Sequence, residues 1–180
     1  IRRYAETDDL TGANNRKAFY LRMERILRAD PQGKTHALAI FDLDRFKEIN
    51  DTLGHDAGDE YIREVVRRLT SACRKRDVVA RLGGDEFAVV LTGLSGAPHA
   101  ADRIERLRAA FGEPMVLGGE VLRPSASIGV ALYPRDGIEL TELMKAADTA
   151  LYEAKTAGRD RCAFYEARLG EERRRRQETA

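Results

Sequence analysis

Residues 78–91 read Val-Val-Ala-Arg-Leu-Gly-Gly-Asp-Glu-Phe-Ala-Val-Val-Leu, two β-rich segments separated by a pair of glycines. Gly83-Gly84 suits a two-residue hairpin turn, because glycine readily adopts the positive φ angles that such a turn requires. We therefore predict a β-hairpin here, with Asp85 and Glu86 directly after the turn.

The rest of the chain alternates between helical and extended patterns on either side of this hairpin. Apolar residues at helical spacing predict helices over 15–28, 45–53, 100–111 and 140–157, and another with its apolar face from Tyr61 to Leu69, after a turn bracketed by Gly54 and Gly58 that carries His55, Asp56 and Asp59. Short apolar runs predict strands over 36–41, 78–82, 87–91, 125–132 and 162–165, a hairpin over 116–122 and a turn over 30–33. Because a hairpin interrupts the alternation, we expect an α/β (α+β) fold with a central mixed sheet flanked by helices.

Length and composition describe one globular domain. The chain has 180 residues, of which 43% are hydrophobic and 34% charged, with a formal net charge of +1. That charge gives no reason to expect nucleic acid or a membrane surface as a partner. The cysteines, Cys73 and Cys162, form no disulfide framework by spacing, and reduced thiols fit a cytosolic setting. Because the chain begins at Ile1, we interpret it as a fragment of a longer protein.

Two acidic clusters follow predicted strands. Asp42-Leu43-Asp44 ends the strand over 36–41, and Asp85-Glu86 follows the glycine pair. If the two strands are neighbours, the carboxylates converge, and a cation between them relieves their repulsion. Oxygen ligands of this kind suit Mg²⁺, and two metals ~3.5–4 Å apart stabilise a phosphoryl displacement. Taken singly, Asp42 or Asp44 is explained by default as a turn residue or helix cap, and the Gly-Gly-Asp-Glu segment is explained equally well as an ordinary solvated hairpin. Spacing alone favours these simpler interpretations over a metal site.

The sequence resembles the GGDEF family of diguanylate cyclases in segments that occur in the family's order and cover residues 8–165. These segments are Asp8-Asp9-Leu10-Thr11-Gly12 with Asn15-Arg16, Phe41 to Lys47 with Ile49-Asn50-Asp51, Gly54-His55 to Gly58-Asp59, Arg81 to Phe87, Ser127-Ile128-Gly129, and Ala147 to Lys155 with Gly158-Arg159. Two departures from the family pattern, Ala13-Asn14 and Arg45, remove no ligand and affect only the expected local packing.

The resemblance implies a fold like the polymerase palm and the nucleotide cyclases, with the signature on a β-hairpin. It also implies a reaction in which two GTP molecules form cyclic di-GMP and two pyrophosphates. Each GTP would bind one domain of a homodimer, and each 3′-hydroxyl would attack the α-phosphate held by the other domain. Two Mg²⁺ or Mn²⁺ ions per active site are the implied cofactors.

By the same resemblance, metal is held by Asp42, by the backbone carbonyl of Leu43, and by Asp85 and Glu86. Asp85 is a candidate base for the 3′-hydroxyl, and Glu86 could exchange roles with it. Lys47 would neutralise charge on the phosphates. Without the surrounding motif, Lys47 is explained equally well as a solvated helix residue.

The resemblance also assigns the substrate contacts. Asn50 and Asp59 would read guanine, because a carboxylate accepts from the guanine N1–H and amino groups, and adenine lacks that donor pair. His55 either borders the base or is simply a turn residue. Lys155 and Arg159 would clamp the β- and γ-phosphates, although cations near a helix C-terminus also favour the helix dipole.

A second site is implied for product inhibition. Arg74 and Asp77 occupy the family's R-x-x-D position and would bind cyclic di-GMP, since a planar guanidinium suits guanine. A further arginine from the next helix would assist, and Arg103, Arg106 and Arg108 are all candidates.

The ends of the chain suggest neighbouring domains. Residues 1–7 are expected to end an upstream signalling helix or linker from a sensor domain, and residues 166–180 to form a charged helical linker toward an EAL-type phosphodiesterase domain. The run Arg173 to Arg176 is also explained as a solvated helix face. We expect this domain in the cytoplasm, whether or not the parent protein is membrane-anchored. The alternative function is a regulatory module that binds GTP or cyclic di-GMP without turnover, and the intact signature favours the enzyme.

Overall fold

In a computed structural model of the chain, residues 5–29 and 33–179 are described. The helices are α1 (Arg16–Arg28), α2 (Phe46–Leu53), α3 (His55–Ala72), α4 (Ala97–Phe111), α5 (Leu140–Thr156) and α6 (Ala167–Thr179). The strands are β1 (Thr35–Leu43), β2 (Val78–Gly83), β3 (Glu86–Leu94), β4 (Met115–Leu117), β5 (Glu120–Leu122), β6 (Ala126–Tyr133) and β7 (Arg161–Phe164).

Five strands form a central sheet in the order β2-β3-β1-β6-β7, and β4 and β5 form a separate hairpin. All neighbours in the central sheet are antiparallel except β6 and β7, which are parallel. The expected mixed sheet flanked by helices is confirmed. β1 lies at its centre, so the residues that end β1 have neighbours on both sides.

The sheet is buried on both faces because alternate residues of β1 pack against different helices. Phe41 joins a core with α3 and α4, whereas Ile40 joins a core with α1 and α5. Local signals begin the helices on one of these faces: the Asn15 side chain accepts from Ala18 N at the start of α1, and Glu139 and Glu142 form a capping box on α5.

Two local predictions were wrong. The turn between β2 and β3 consists of Gly84 and Asp85, because a register shift between Arg81 and Gly83 carries β2 one residue further than predicted. The predicted turn after Gly54 is instead the first turn of α3, which begins at His55. In addition, residues 1–4 of the predicted upstream segment, residues 30–32 of the predicted turn, and Ala180 lie outside the described residues.

Residues 167–179 lie against α5. Leu169 of α6 is 4% exposed, and the Arg173 guanidinium lies 2.9 Å from Asp148 Oδ2 and 5.0 Å from the centre of the Tyr152 ring. This predicted linker therefore has a docked helical conformation. In the part of the chain that the structure describes, no helix is long and apolar enough to cross a membrane.

Candidate active site

The two acidic clusters meet at one end of the sheet. Asp42, near the end of β1, lies directly opposite Glu86, the first residue of β3. The Leu43 N–H donates to the Asp85 carbonyl over 3.0 Å, which joins the end of β1 to the turn. The expectation that both clusters lie at the same edge is confirmed, and carboxylates from two separate stretches of chain face one another.

The carboxylates repel one another in this arrangement. Burial raises the pKa of Asp85, and the negative charge of Asp42 raises it further. The pKa of Glu86 is also raised, first by burial and then by Asp42. Lys155 from the end of α5 forms an ion pair with Asp42 Oδ2 and offsets part of this repulsion.

α5 can bring Lys155 this close because β6 carries a glycine beneath it. A Cβ atom on Gly129 would overlap the Ala147 carbonyl and the Leu151 backbone of α5. The glycine of the Ser-Ile-Gly segment therefore sets the approach of helix to sheet, and through it the position of the Lys155 ammonium.

These groups fit a magnesium ion better than a closed protein metal centre. Among residues 5–29 and 33–179, no three His, Cys, Asp or Glu side chains are arranged to hold a metal by themselves. Mg²⁺ is usually bound by one or two carboxylates, with waters and substrate phosphates completing the octahedron. Asp42 and Glu86, with Asp85 and the Leu43 carbonyl beside them, match that smaller requirement.

The segment 8–14 supports the turn that carries Asp85. Arg81 Nε donates to the Gly84 carbonyl at 3.0 Å, and Arg81 Nη1 lies 3.2 Å from Asp8 Oδ1. Asn14, one of the departures from the family pattern, donates from its side chain to the Val79 carbonyl over 2.9 Å. Because these contacts tie the segment to β2, they hold the turn against the rest of the sheet.

Asp44 belongs to the first acidic cluster in sequence, but hydrogen-bond donors from other segments surround its carboxylate. It is only 6% exposed and accepts hydrogen bonds from Ser125 Oγ at 2.6 Å, Ser127 Oγ at 2.8 Å and Asp160 N at 2.9 Å. These donors stabilise its charge, so Asp44 anchors β1 to the chain around Ser125 and Ser127 and to the loop before β7. The alternating serines were the only sequence signal for this role.

The predicted guanine-reading residues lie on α2 and α3, which Gly54 alone separates. A Cβ atom on Gly58 would overlap the side-chain oxygen of Asn50. The Asn50 side chain therefore lies against Gly58, the residue of α3 that precedes Asp59. His55 begins α3 and is exposed, as is Lys47 in the first turn of α2.

Arg159 lies in the loop between α5 and β7 and has left-handed backbone geometry, with a φ of 64°. Its neighbour Asp160 donates from its N–H to Asp44, so the structural carboxylate also fixes this loop. Arg159 is exposed, four residues after Lys155, consistent with the predicted positions of the two cations.

The predicted product-inhibition residues form a separate cluster. Asp77 has a fully buried side chain that accepts from Arg74 N at 2.8 Å, Arg103 Nη2 at 2.9 Å and Thr92 N at 3.0 Å. Of the three candidate arginines, Arg103 is the one that contacts Asp77. The other two pair elsewhere, Arg106 with Asp102 and Arg108 with Glu105.

Asp77 precedes β2 at the end remote from the turn that carries Asp85. Six residues of strand extend roughly 20 Å, so the two clusters occupy different places on the sheet. The buried Asp77 positions Arg103 in this structure, and its oxygens are already occupied by protein donors.

Comparisons with known proteins agree with this arrangement. The family described as diguanylate cyclase, GGDEF domain, matches residues 5–161. Over 170 residues the chain is 42% identical to the cyclic di-GMP phosphodiesterase NbdA of Pseudomonas aeruginosa, covering 94% of this chain and 22% of NbdA. Over 157 residues it is 41% identical to the diguanylate cyclase TpbB of the same organism, covering 86% of this chain and 36% of TpbB. The chain thus spans about a fifth to a third of the length of these relatives.

Solved structures give the same result. The GGDEF domain of TpbB superposes with a TM-score of 0.86 at 38% identity, covering 92% of this chain and 97% of that domain. The GGDEF domain of DgcB from Caulobacter crescentus, solved in complex with cyclic di-GMP, has a TM-score of 0.79 at 34% identity, covering 91% of this chain and 98% of that one. The chain belongs to the GGDEF domain family.

Proposed function

We propose that this domain is a diguanylate cyclase, a nucleotidyltransferase that converts two GTP molecules into cyclic di-GMP and two pyrophosphates. The single observation that carries the proposal is the position of Asp42 opposite Glu86, with Asp85 in the adjoining turn and Lys155 paired to Asp42. Facing carboxylates with raised pKa values are costly for the isolated fold, and a cationic ligand removes that cost.

Asp42, Asp85, Glu86 and the Leu43 carbonyl would hold two Mg²⁺ or Mn²⁺ ions. When bound, these ions would offset the negative charge of the carboxylates and of the triphosphate and polarise the reacting oxygens. The sequence predicted this ligand set, and the fit of the β1 and β3 ends supports it.

Proton removal from the ribose 3′-hydroxyl falls to Asp85 or Glu86. Burial and Asp42 raise the pKa of both groups, which brings each nearer to the range useful for a general base. Asp85 lies in the turn and Glu86 on the strand. Both assignments remain part of the proposal, since metal binding and proton transfer compete for the same oxygens.

Substrate binding would divide between two ends of the site. Lys47, Lys155 and Arg159 would contact the phosphates. The close approach of Asn50 to α3, next to Asp59, supports their role in reading guanine, and exposed His55 borders that region.

The reaction requires two such domains in a homodimer. In each half, a bond forms between a 3′-oxygen and the α-phosphorus of the other GTP, and the bond from that phosphorus to the pyrophosphate breaks. The 3′-proton passes to the carboxylate base, and two such steps close the ring. Cyclic di-GMP would then inhibit by binding at Arg74, with Arg103 assisting and Asp77 orienting both.

Residues 8–165 would form the catalytic domain, located in the cytoplasm whether or not the parent protein is membrane-anchored. The segments before and after it would connect it to other parts of a longer polypeptide, with a sensor domain upstream and an EAL-type domain as the candidate downstream. The docking of α6 on α5 supports treating residues 167–179 as a structured connection.

The test is incubation of the purified domain with GTP and Mg²⁺, with products identified by chromatography. We expect cyclic di-GMP and pyrophosphate from the wild type, no product from Asp85→Ala, and an unchanged rate from Asp102→Ala, an exposed control on α4. Equal amounts of ATP and GTP should yield only the guanine product. An inert wild type at concentrations that enforce dimerisation would contradict the proposal.

A second candidate function is a regulatory module that binds GTP or cyclic di-GMP without turnover. It is favoured by the similarity to NbdA, a relative named for phosphodiesterase activity, of which this chain matches only 22%. Calorimetry that shows tight GTP binding by a domain with no turnover would establish this alternative.

A further inference from the structure

A cavity of about 530 Å³ lies between α2, the β5–β6 connection and the loop before β7, and it shares Arg159 with the predicted phosphate contacts. Its lining includes Asp44, Arg45, Arg123 and Arg159. Arg45 and Arg123 belong neither to the predicted metal ligands nor to the predicted guanine-reading residues. These two arginines of the lining therefore have no assigned role.

Arg45 and Arg159 lie on two chain segments that the same carboxylate joins. Arg45 directly follows Asp44, and Arg159 directly precedes Asp160, whose N–H donates to Asp44 at 2.9 Å. Both arginines have left-handed backbone geometry, with φ values of 58° and 64°. Asp44 is buried and accepts three hydrogen bonds, so it fixes the backbone at Arg45 and Arg159 in neighbouring positions.

The guanidinium groups at this cavity are available to a ligand. Within the described ranges, the side chains of Arg45, Arg123 and Arg159 form no hydrogen bond or ion pair with the protein. Glu48 and Glu120 also line the cavity, so its lining carries charges of both signs and would not attract every anion. Arg45 and Arg159 have fixed backbone positions, and Arg45 is close in sequence to Asp42. Two such guanidinium groups suit the oxygens of a phosphate group.

We propose that Arg45 is a substrate-binding residue that contacts the terminal phosphates of the nucleoside triphosphate together with Arg159. The inference rests on the proposed function and extends it, because Arg45 is not among the predicted phosphate contacts Lys47, Lys155 and Arg159. It predicts that Arg45 affects affinity for the polyphosphate end of the substrate and leaves affinity for the guanosine end unchanged.

The experiment measures binding of three probes by calorimetry in the presence of Mg²⁺: the α,β-methylene analogue of GTP, inorganic tripolyphosphate and guanosine. We use Arg45→Asn, because asparagine tolerates left-handed backbone geometry. We expect roughly tenfold or greater weakening for the analogue and for tripolyphosphate, the size of one lost charge-assisted hydrogen bond. Guanosine affinity should stay the same.

Arg123→Asn is the matched control, since it removes the same charge from the lining of the same cavity at a residue adjacent to neither Asp44 nor Asp160, and its affinities should stay within about twofold of wild type by the same measure. Arg45→Lys should give intermediate affinity, and unchanged melting temperatures would show that all variants fold. Equal weakening in the Arg45 and Arg123 variants, or unchanged tripolyphosphate affinity in Arg45→Asn, would overturn the inference and leave the proposed function intact. A wild type that binds none of the probes would overturn both.

Discussion

Two aspartates, Asp42 near the end of β1 and Asp44 just after it, have opposite environments. Asp44 accepts three hydrogen bonds and is buried among donors, whereas Asp42 faces Glu86 across the sheet and has Lys155 as its cationic partner. A carboxylate whose charge is satisfied by fixed donors maintains the fold. A carboxylate that faces other carboxylates is repelled by them, and Lys155 offsets only part of that repulsion. We therefore propose a structural role for Asp44 and a metal-binding role for Asp42.

The largest effect should come from Asp42→Asn in the turnover assay. Loss of a metal-binding charge should reduce cyclic di-GMP formation at least ~1,000-fold, about 4 kcal/mol in the barrier. The melting temperature should stay close to that of the wild type, because the substitution also removes a repulsive charge. A substantial loss of stability in this variant would mean that Asp42 is a structural residue like Asp44.

Asp44→Ala should have the opposite outcome. The substitution leaves Ser127 Oγ and the Asp160 N–H without their acceptor in a buried site, which should cost about 3 kcal/mol of unfolding free energy. For a domain of this size the melting temperature should fall by roughly 6–12 °C, measured by circular dichroism. Ser125→Ala removes one donor and should cost less. Equal stability of Asp44→Ala and wild type would remove the distinction between the two aspartates.

Glu86→Gln should stabilise the metal-free domain. The folded state raises the pKa of Glu86, so the carboxyl's contribution to stability is full below its unfolded pKa and is lost as pH rises through the folded value. The glutamine variant should therefore exceed wild type by about 0.5–1 kcal/mol at pH 7, the cost of like charges directly opposite on paired strands. The gain should shrink at pH 4 in denaturant titrations.

Substitution of Glu64 on α3 should have the smallest effect on stability. Its pKa is lowered in the folded state, whereas that of Glu86 is raised. Its hydrogen bond to Arg67 is the main cause that lowers its pKa to about 2, and Arg68 contributes. That stabilisation is present above the unfolded pKa near 4.5 and is lost as pH falls toward 2. Glu64→Gln should cost about 1 kcal/mol or less at pH 7, since solvent screens this pair, and nothing at pH 2. A cost that persists in acid would contradict the ionic explanation.

Much of this contrast could be predicted from sequence, but not all of it. The Gly-Gly pair and the β-rich runs around it predicted a hairpin, and the acids after two strands predicted their convergence. The exact turn could not be predicted, because a register shift at Leu82 depends on pairing with β3 rather than on local propensity. The start of α3 at His55 could not be predicted either. The sequence pattern predicted a turn there, whereas in the structure Gly54 alone separates α2 from α3.

The roles of Asp44 and Arg103 depended on tertiary partners. Asp44 is satisfied by Ser125, Ser127 and the loop at Asp160, all more than 80 positions away in sequence, and no local pattern distinguishes it from Asp42. Arg103 resembled Arg106 and Arg108 in sequence, and only its position on the buried side of α4 brings it to Asp77.

The most direct test of the central claim is calorimetric binding of the α,β-methylene GTP analogue with and without Mg²⁺. The convergence of Asp42 and Glu86 predicts that Mg²⁺ strengthens binding to the wild type tenfold or more, about 1.4 kcal/mol. It also predicts that the gain disappears in the double variant Asp42→Asn/Glu86→Gln. An equal gain in both proteins would show that these carboxylates do not hold the metal at the triphosphate.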